Sequence, residues 1–272
     1  MHDAPSLIGV DFSSRPTRRK PIVVAHGRAS ADRVCLTALE RLDSLDAFGA
    51  WLARPGPWIG GFDFPFGLPR ELVEHLGWPT AWRTCMQHYA ALPRAEIRAT
   101  FAAFCAARPA GAKFAHRACD RPAGSSPSMK WVNPPVAYML HAGVPLLLAA
   151  GVHLPAHAFA GDAQRVALEA YPGLLARELI GHRSYKSDDA AKHTDERLLA
   201  RIAIVEALLE GRTRLQVRLH LQPAQRDSLL DDASGDALDA VLCLVQAAWS
   251  TTQPGHGLPP RVDPLEGWIV SA

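Results

Sequence analysis

Very little in this sequence announces a chemistry. Its five cysteines (Cys35, Cys85, Cys105, Cys119 and Cys243) are scattered and form no C-x-x-C pair. That spacing argues against a zinc ribbon or a disulfide framework. Formal net charge is +2, too small for overall charge to imply a nucleic-acid partner, because non-specific binding rests on several phosphate contacts. The chain has no Walker lysine motif, no G-x-S-x-G elbow and no G-x-G-x-x-G fingerprint, so the common signatures of nucleotide hydrolysis, acyl transfer and dinucleotide binding are missing. One apolar run, 136–154, approaches membrane-spanning length, but it holds His141, His153 and a mid-run Pro145. It reads as a buried, kinked helix, and no membrane partner is expected. The polar start "MHDAPS" carries no secretory leader, which makes a reducing cytoplasm the expected compartment.

What is present is 272 residues at 48% hydrophobic composition, enough to bury a sizeable core without staples. "SLIGVDFSS", "KPIVVAHGRA" and "DRVCLTALERL" read as three closely spaced strands, hence a meander. In "SLDAFGAWLARPG", Ser44 is the N-cap of a short helix whose Leu45, Phe48, Trp51 and Leu52 share a face. "PWIGGFDFPFGLP" reads as a central strand ending at Asp63. Residues 70–108 read as helical with a break at Pro93, and 109–135 as a long loop carrying Lys113, Arg117, Arg121 and Lys130. After the apolar helix at 136–150, "AQRVALEAYPG" is a strand ending in Glu169. "DERLLARIAIVEALLEG" and "DDASGDALDAVLCLVQAAW" are amphipathic helices. The expectation is one α/β domain over 1–272 with a helical and loop insertion at about 70–155.

The carboxylates form a pattern. Asp11, Asp63 and Glu169 each sit where a buried strand gives way to a turn, so neighbouring strands would gather them at one sheet edge. Asp236 and Asp239, three apart on the last helix, share a face. Leu238, Val241, Leu242 and Val245 would pack that helix on the sheet and aim the acids at the rim. Gathered carboxylates repel and raise one another's pKa, so a cation must offset them. Hard oxygen donors without Cys or paired His favour Mg²⁺ or Mn²⁺, and two such ions roughly 4 Å apart would support phosphodiester hydrolysis. Each acid also has a plainer reading. Asp63 can cap a turn, Glu169 can pair with Arg177 or Lys186, and Asp236 can answer the helix dipole. Among the cations, Arg15, Arg18, Arg19 and Lys20 follow Asp11 as a positive lip or as a solvated turn. Arg15, Arg117, Lys130 and Lys186 are the candidates for contacting a substrate phosphate. His153 and His157 have metal-pair spacing, but Pro155 between them makes them loop residues. Tyr171 reads as a packing residue.

Together "GVDFSS", "GFDFPFG", "LEAYPG" with "SYK", "GDALDA" and "EGWIV" resemble the domain-of-unknown-function family 429, described as predicted RNase H-like nucleases, over about residues 7–270. The resemblance implies an RNase H-like fold: a mixed five-stranded sheet, its first three strands antiparallel, flanked by helices. In the resolvase-like branch of that superfamily, acids come from the first strand, the fourth strand and a D-x-x-D pair on the last helix. Asp11, Asp63, Asp236 and Asp239 match those places, with the shorter Asp63 where resolvases typically use Glu, and Glu169 standing nearby to compensate. It also implies a nucleic-acid substrate and leaves room for a homodimer, since two-fold resolvases cut paired strands as dimers.

Two rivals are set beside the nuclease expectation. An actin-like or sugar-kinase-like phosphotransferase also begins with a strand carrying Asp, but it needs a second related domain and glycine-rich phosphate loops. A catalytically degenerate binding or scaffold protein would keep the fold and lose the metal.

Overall fold

The computed structural model describes residues 5–30 and 33–272. In chain order it has β1 (Ser6–Asp11), β2 (Ile22–Ser30), β3 (Arg33–Leu42), α1 (Leu45–Leu52), β4 (Trp58–Asp63), α2 (Arg70–His75), α3 (Trp82–Ala91), α4 (Arg94–Ala106), α5 (Asp120–Ala123), α6 (Val136–Ala150), β5 (Val152–His153), β6 (Asp162–Glu169), α7 (Pro172–Ile180), α8 (Asp195–Glu210), β7 (Arg218–His220), α9 (Pro223–Asp231) and α10 (Asp236–Ser250). The strands form one mixed sheet in the order β5-β6-β4-β1-β2-β3-β7. As expected, β1, β2 and β3 form an antiparallel meander. β4 and β6 then run parallel to β1 on its other side.

The sheet has seven strands among the described residues, where five were expected. The two additions lie at the edges, β5 with two residues and β7 with three, too short to show an alternating pattern. Ser44 caps α1 as expected, its Oγ accepting from Ala47 N at 3.1 Å. Pro93 directly precedes α4, and a further break separates α2 from α3. The apolar run holds α6, with Pro145 inside it. Among the described residues no helix is long and apolar enough to cross a membrane.

Successive side chains of a strand face opposite sides, and β1 shows both cores. Ile8 and Val10 pack with Phe48 and Trp51 of α1, Tyr89 of α3, Phe101 of α4 and Leu140 of α6. Leu7, on the other face, packs with Leu175 of α7, Ile204 of α8, Leu229 of α9 and Leu242 of α10. Gly9 and Gly61 face this second side as register partners, directly beneath α10. A Cβ on Gly9 would lie 2.0 Å from the Ala240 carbonyl oxygen, and one on Gly61 2.6 Å from that of Cys243. Two absent side chains therefore set how closely α10 lies on the sheet.

The inserted region is tied down at His157, which sits in a short 3₁₀ turn and is buried. Its Nδ1 is 2.8 Å from the Pro264 carbonyl oxygen, which can only accept, so Nδ1 carries the proton. Its Nε2 has no partner, and the ring stacks on Trp82 at 4.6 Å. Burial pushes the pKa down to about 3, with Arg117 opposing the charge and Asp263 and the Pro264 bond favouring it. A folded-state pKa below the unfolded value means that stability is fully present above about 6.5 and drains as pH falls toward 3. The expected slope from this group approaches about 1.4 kcal/mol per pH unit. Urea unfolding across that window should show it, and His157→Phe should flatten it by the same slope.

Candidate functional site

The sheet register begins the site. Asp11 and Asp63 are direct partners on parallel strands, two residues beyond the paired glycines, so a G-x-D repeat in "GVD" and "GFD" sends both carboxylates to the α10 side. Asp239, in the first turn of α10, meets them there. One carboxylate oxygen from each lies within 4.8 Å of the other two. Asp11 and Asp239 are buried and Asp63 is half-buried.

Burial, followed by repulsion from Asp239, holds the Asp11 carboxyl well above its usual range. Asp236 and Asp63 add to this, while Lys186 opposes it. For the same first two reasons Asp63 is pushed up to about 7. Asp239 receives the Tyr185 hydroxyl on one oxygen and the Lys186 ammonium on the other. Burial works against the Lys186 charge, but Asp239, Tyr185 and Asp11 outweigh it and raise its pKa. The buried Arg201 holds this lysine's neighbour in place, its Nη1 donating to the Tyr185 carbonyl at 2.8 Å.

The other two sequence candidates lie outside this triad. Asp236 accepts from Lys20 Nζ at 2.6 Å, and the same ammonium reaches Asp188 at 2.6 Å. Burial raises the Asp236 pKa despite Lys20. The expected fourth metal ligand is not in the three-oxygen group, and it accepts from a lysine that reading the sequence placed only in a basic lip.

Glu169 is also corrected. Its partner is neither Arg177 nor Lys186 but Arg117, whose Nη2 and Nη1 donate to its two oxygens at 2.6 and 2.7 Å. Phe66 N adds a third bond at 3.0 Å. Burial still raises the Glu169 pKa against Arg117.

Arg117 cannot serve as expected either. Its Nε and Nη2 also bind Asp120 Oδ1 at 3.1 and 2.9 Å, and Nη1 binds the Glu266 carbonyl at 3.2 Å. It is buried with every nitrogen engaged, so it builds the cavity floor and does not reach out to a phosphate. Arg15 is exposed and Lys130 half-buried, and the cavity is lined by neither. Of the four candidate phosphate contacts, Lys186 alone bonds to an acid of the triad. Tyr171 packs locally: its N donates to Gln246 Oε1 at 3.2 Å and its hydroxyl accepts from Arg177 at 3.4 Å.

The triad opens into a cavity of about 550 Å³. Its donors are three hard carboxylate oxygens with no thiol or imidazole in the group, a set that could hold a hard divalent cation. With all three acids ionised around a bound ion, one ammonium against them leaves two negative charges, the complement of a single divalent ion.

A family model described as a protein of unknown function (DUF429) matches residues 9–263. No curated protein and no solved structure matches the chain.

Proposed function

The chain belongs to the DUF429 family, and we propose that within it this protein is a divalent-metal-dependent phosphodiesterase of RNase H-like fold acting on nucleic acid. The observation that carries this reading is the convergence of Asp11, Asp63 and Asp239 within 4.8 Å, from the first strand, the fourth strand and the last helix. The central strands β6-β4-β1-β2-β3, with the antiparallel meander at one side, are consistent with that fold. A catalytic site on this plan needs a shared cation, because buried carboxylates at such distances are otherwise held partly protonated.

Asp11, Asp63 and Asp239 would hold the ion. When bound, it supplies a Lewis acid for a phosphoryl oxygen and lowers the pKa of a water. Lys186 adds a fixed ammonium at the same place, where it can balance charge developing on the phosphate. Only three carboxylates are grouped, which favours one ion in place of the two-ion arrangement that the count of acids suggested. Asp11 and Asp239 are buried, a setting in which their electrostatic contacts are stronger than in bulk water.

Calorimetric titration with Mn²⁺ or Mg²⁺ tests the reading. The expected result is one ion per chain. Asp11→Asn, Asp63→Asn and Asp239→Asn should each weaken binding by at least about tenfold, or about 1.4 kcal/mol, with the fold intact by circular dichroism. Asp236→Asn should retain binding within about threefold, roughly 0.7 kcal/mol. Wild type that binds no ion, even with oligonucleotide present, would overturn the proposal. It would favour the scaffold alternative, in which Lys186 is the permanent counter-ion of Asp239. The phosphotransferase alternative has less support, since the described strands form one sheet and that mechanism calls for a second related domain.

A further inference from the structure

The cavity beside the acids is too apolar to be explained by metal and phosphate alone. Its walls include Phe12, Phe64, Pro135, Val136, Met139 and Ile269, and Tyr171 adds a half-buried ring. Asp11, Asp63, Asp239, Lys186 and Lys20 are among the polar groups that line the same cavity. A volume of about 550 Å³ falls within the range of about 300–1,000 Å³ typical of small-ligand pockets. A paired duplex presents phosphates, sugars and base edges outward, and none of these would cover a concave apolar wall. An unpaired base would, because it brings a flat apolar face attached to a phosphate.

Resting on the phosphodiesterase reading, we propose that this cavity receives one unpaired nucleotide, with its base against the apolar wall and its phosphate at the acids. The substrate class is therefore single-stranded, terminal or flipped-out nucleotides. The polar groups available to a base edge point to the further property that base identity matters little. Ser13, Ser14, Ser125 and Ser126 line the cavity, and hydroxyls can donate or accept as the base requires. Among the groups with a fixed pattern, the Arg117 guanidinium and the Glu169 carboxylate are consumed by each other, Asp120, Phe66 N and Glu266 O, and the Lys20 ammonium is held by Asp188 and Asp236.

Nucleoside 5′-monophosphates separate this proposal from the reading beneath it, because they contain no phosphodiester bond and report binding whether or not anything is cleaved. With Mn²⁺ present, all four should bind at least about tenfold more tightly than inorganic phosphate, and within about tenfold of one another. Val136→Trp and Met139→Trp, which fill the wall near the start of α6, should remove that preference and leave affinity for Mn²⁺ and inorganic phosphate unchanged. A short single strand should outcompete its blunt duplex by at least about tenfold. The proposal is overturned by monophosphates that bind no better than phosphate, by filled-pocket variants that bind them normally, or by equal affinity for strand and duplex. If monophosphates bind as expected and no oligonucleotide is ever cut, the nucleotide pocket stands and the phosphodiesterase reading fails.

Discussion

Gly9→Ala is expected to destabilise the protein by more than about 3 kcal/mol, a large share of the roughly 5–15 kcal/mol that holds a domain together. The new methyl group would sit 2.0 Å from the Ala240 carbonyl oxygen, 2.3 Å from Leu244 N and 2.8 Å from Leu244 Cα. All three are backbone atoms of α10, so no rotamer change relieves the overlap. The helix must lift away from the sheet, and its buried side chains Leu238, Val241, Leu242 and Val245 lift with it. Asp239 rides on the same helix, so any folded remainder should also bind Mn²⁺ more weakly. Gly49→Ala is the internal control. It lies within α1 with its nearest foreign atom, Leu146 Cδ2, at 3.6 Å, so alanine should be neutral or stabilising by up to about 1 kcal/mol. Urea unfolding of the two variants beside wild type tests the argument. A Gly9→Ala protein as stable as wild type would mean that α10 does not depend on this close approach, and would remove the account of how Asp239 reaches Asp11 and Asp63.

The same two glycines explain how much of the site could be read in advance. Asp11 and Asp63 were legible because each ends a short apolar run, and strand ends are where a sheet presents side chains to solvent or ligand. The G-x-D repeat is a signal the sequence reading did not use: period-two geometry puts each glycine and its aspartate on one face, which marks the face that a helix backbone approaches. Asp239 was legible from its spacing along an amphipathic helix, and so, by the same token, was Asp236. Nothing in local pattern separates those two acids. What separates them is that Asp239 meets Asp11 and Asp63, whereas Asp236 is met by Lys20, 216 residues away in sequence, where the turn after β1 brings one flexible side chain. The partner of Glu169 was missed for a similar reason. Its candidate partners were sought nearby, whereas its cation comes from a loop 52 residues upstream, in a segment without periodicity. The edge strands β5 and β7 escaped because two or three residues make no alternation. Pairing with an existing strand stabilises them, and that is a tertiary effect.

Arg117→Met should produce the second large effect. Arg117 is 2% exposed, and its removal would strand Glu169 at 4% and Asp120 at 0% exposure. A methionine fills much of the volume and satisfies neither carboxylate. Breaking a buried ion pair from one side costs about 3–5 kcal/mol, because the remaining charge is left unpaired in a poorly polarisable setting. The loss carries a diagnostic pH dependence. Burial already holds the Glu169 carboxyl above its usual value, with Arg117 the main opposing influence, so removing the arginine raises that pKa further. A folded-state pKa above the unfolded one favours the folded protein most at low pH and loses that contribution as pH rises through the folded value. The variant should therefore be most impaired near neutrality and recover part of the deficit as Glu169 takes up a proton. Glu169→Gln in the Arg117→Met background should return part of the stability at neutral pH, since a neutral amide can still accept from Phe66 N. That bond ties Glu169 to the turn Phe64-Pro65-Phe66 directly after Asp63, so Arg117→Met should also lower Mn²⁺ affinity without touching a ligand. A urea and pH matrix over wild type, both single variants and the double variant measures the coupling between the two residues. Additive losses, with a pH profile parallel to wild type, would mean that the two charges contribute independently and that the cavity floor is held by packing alone.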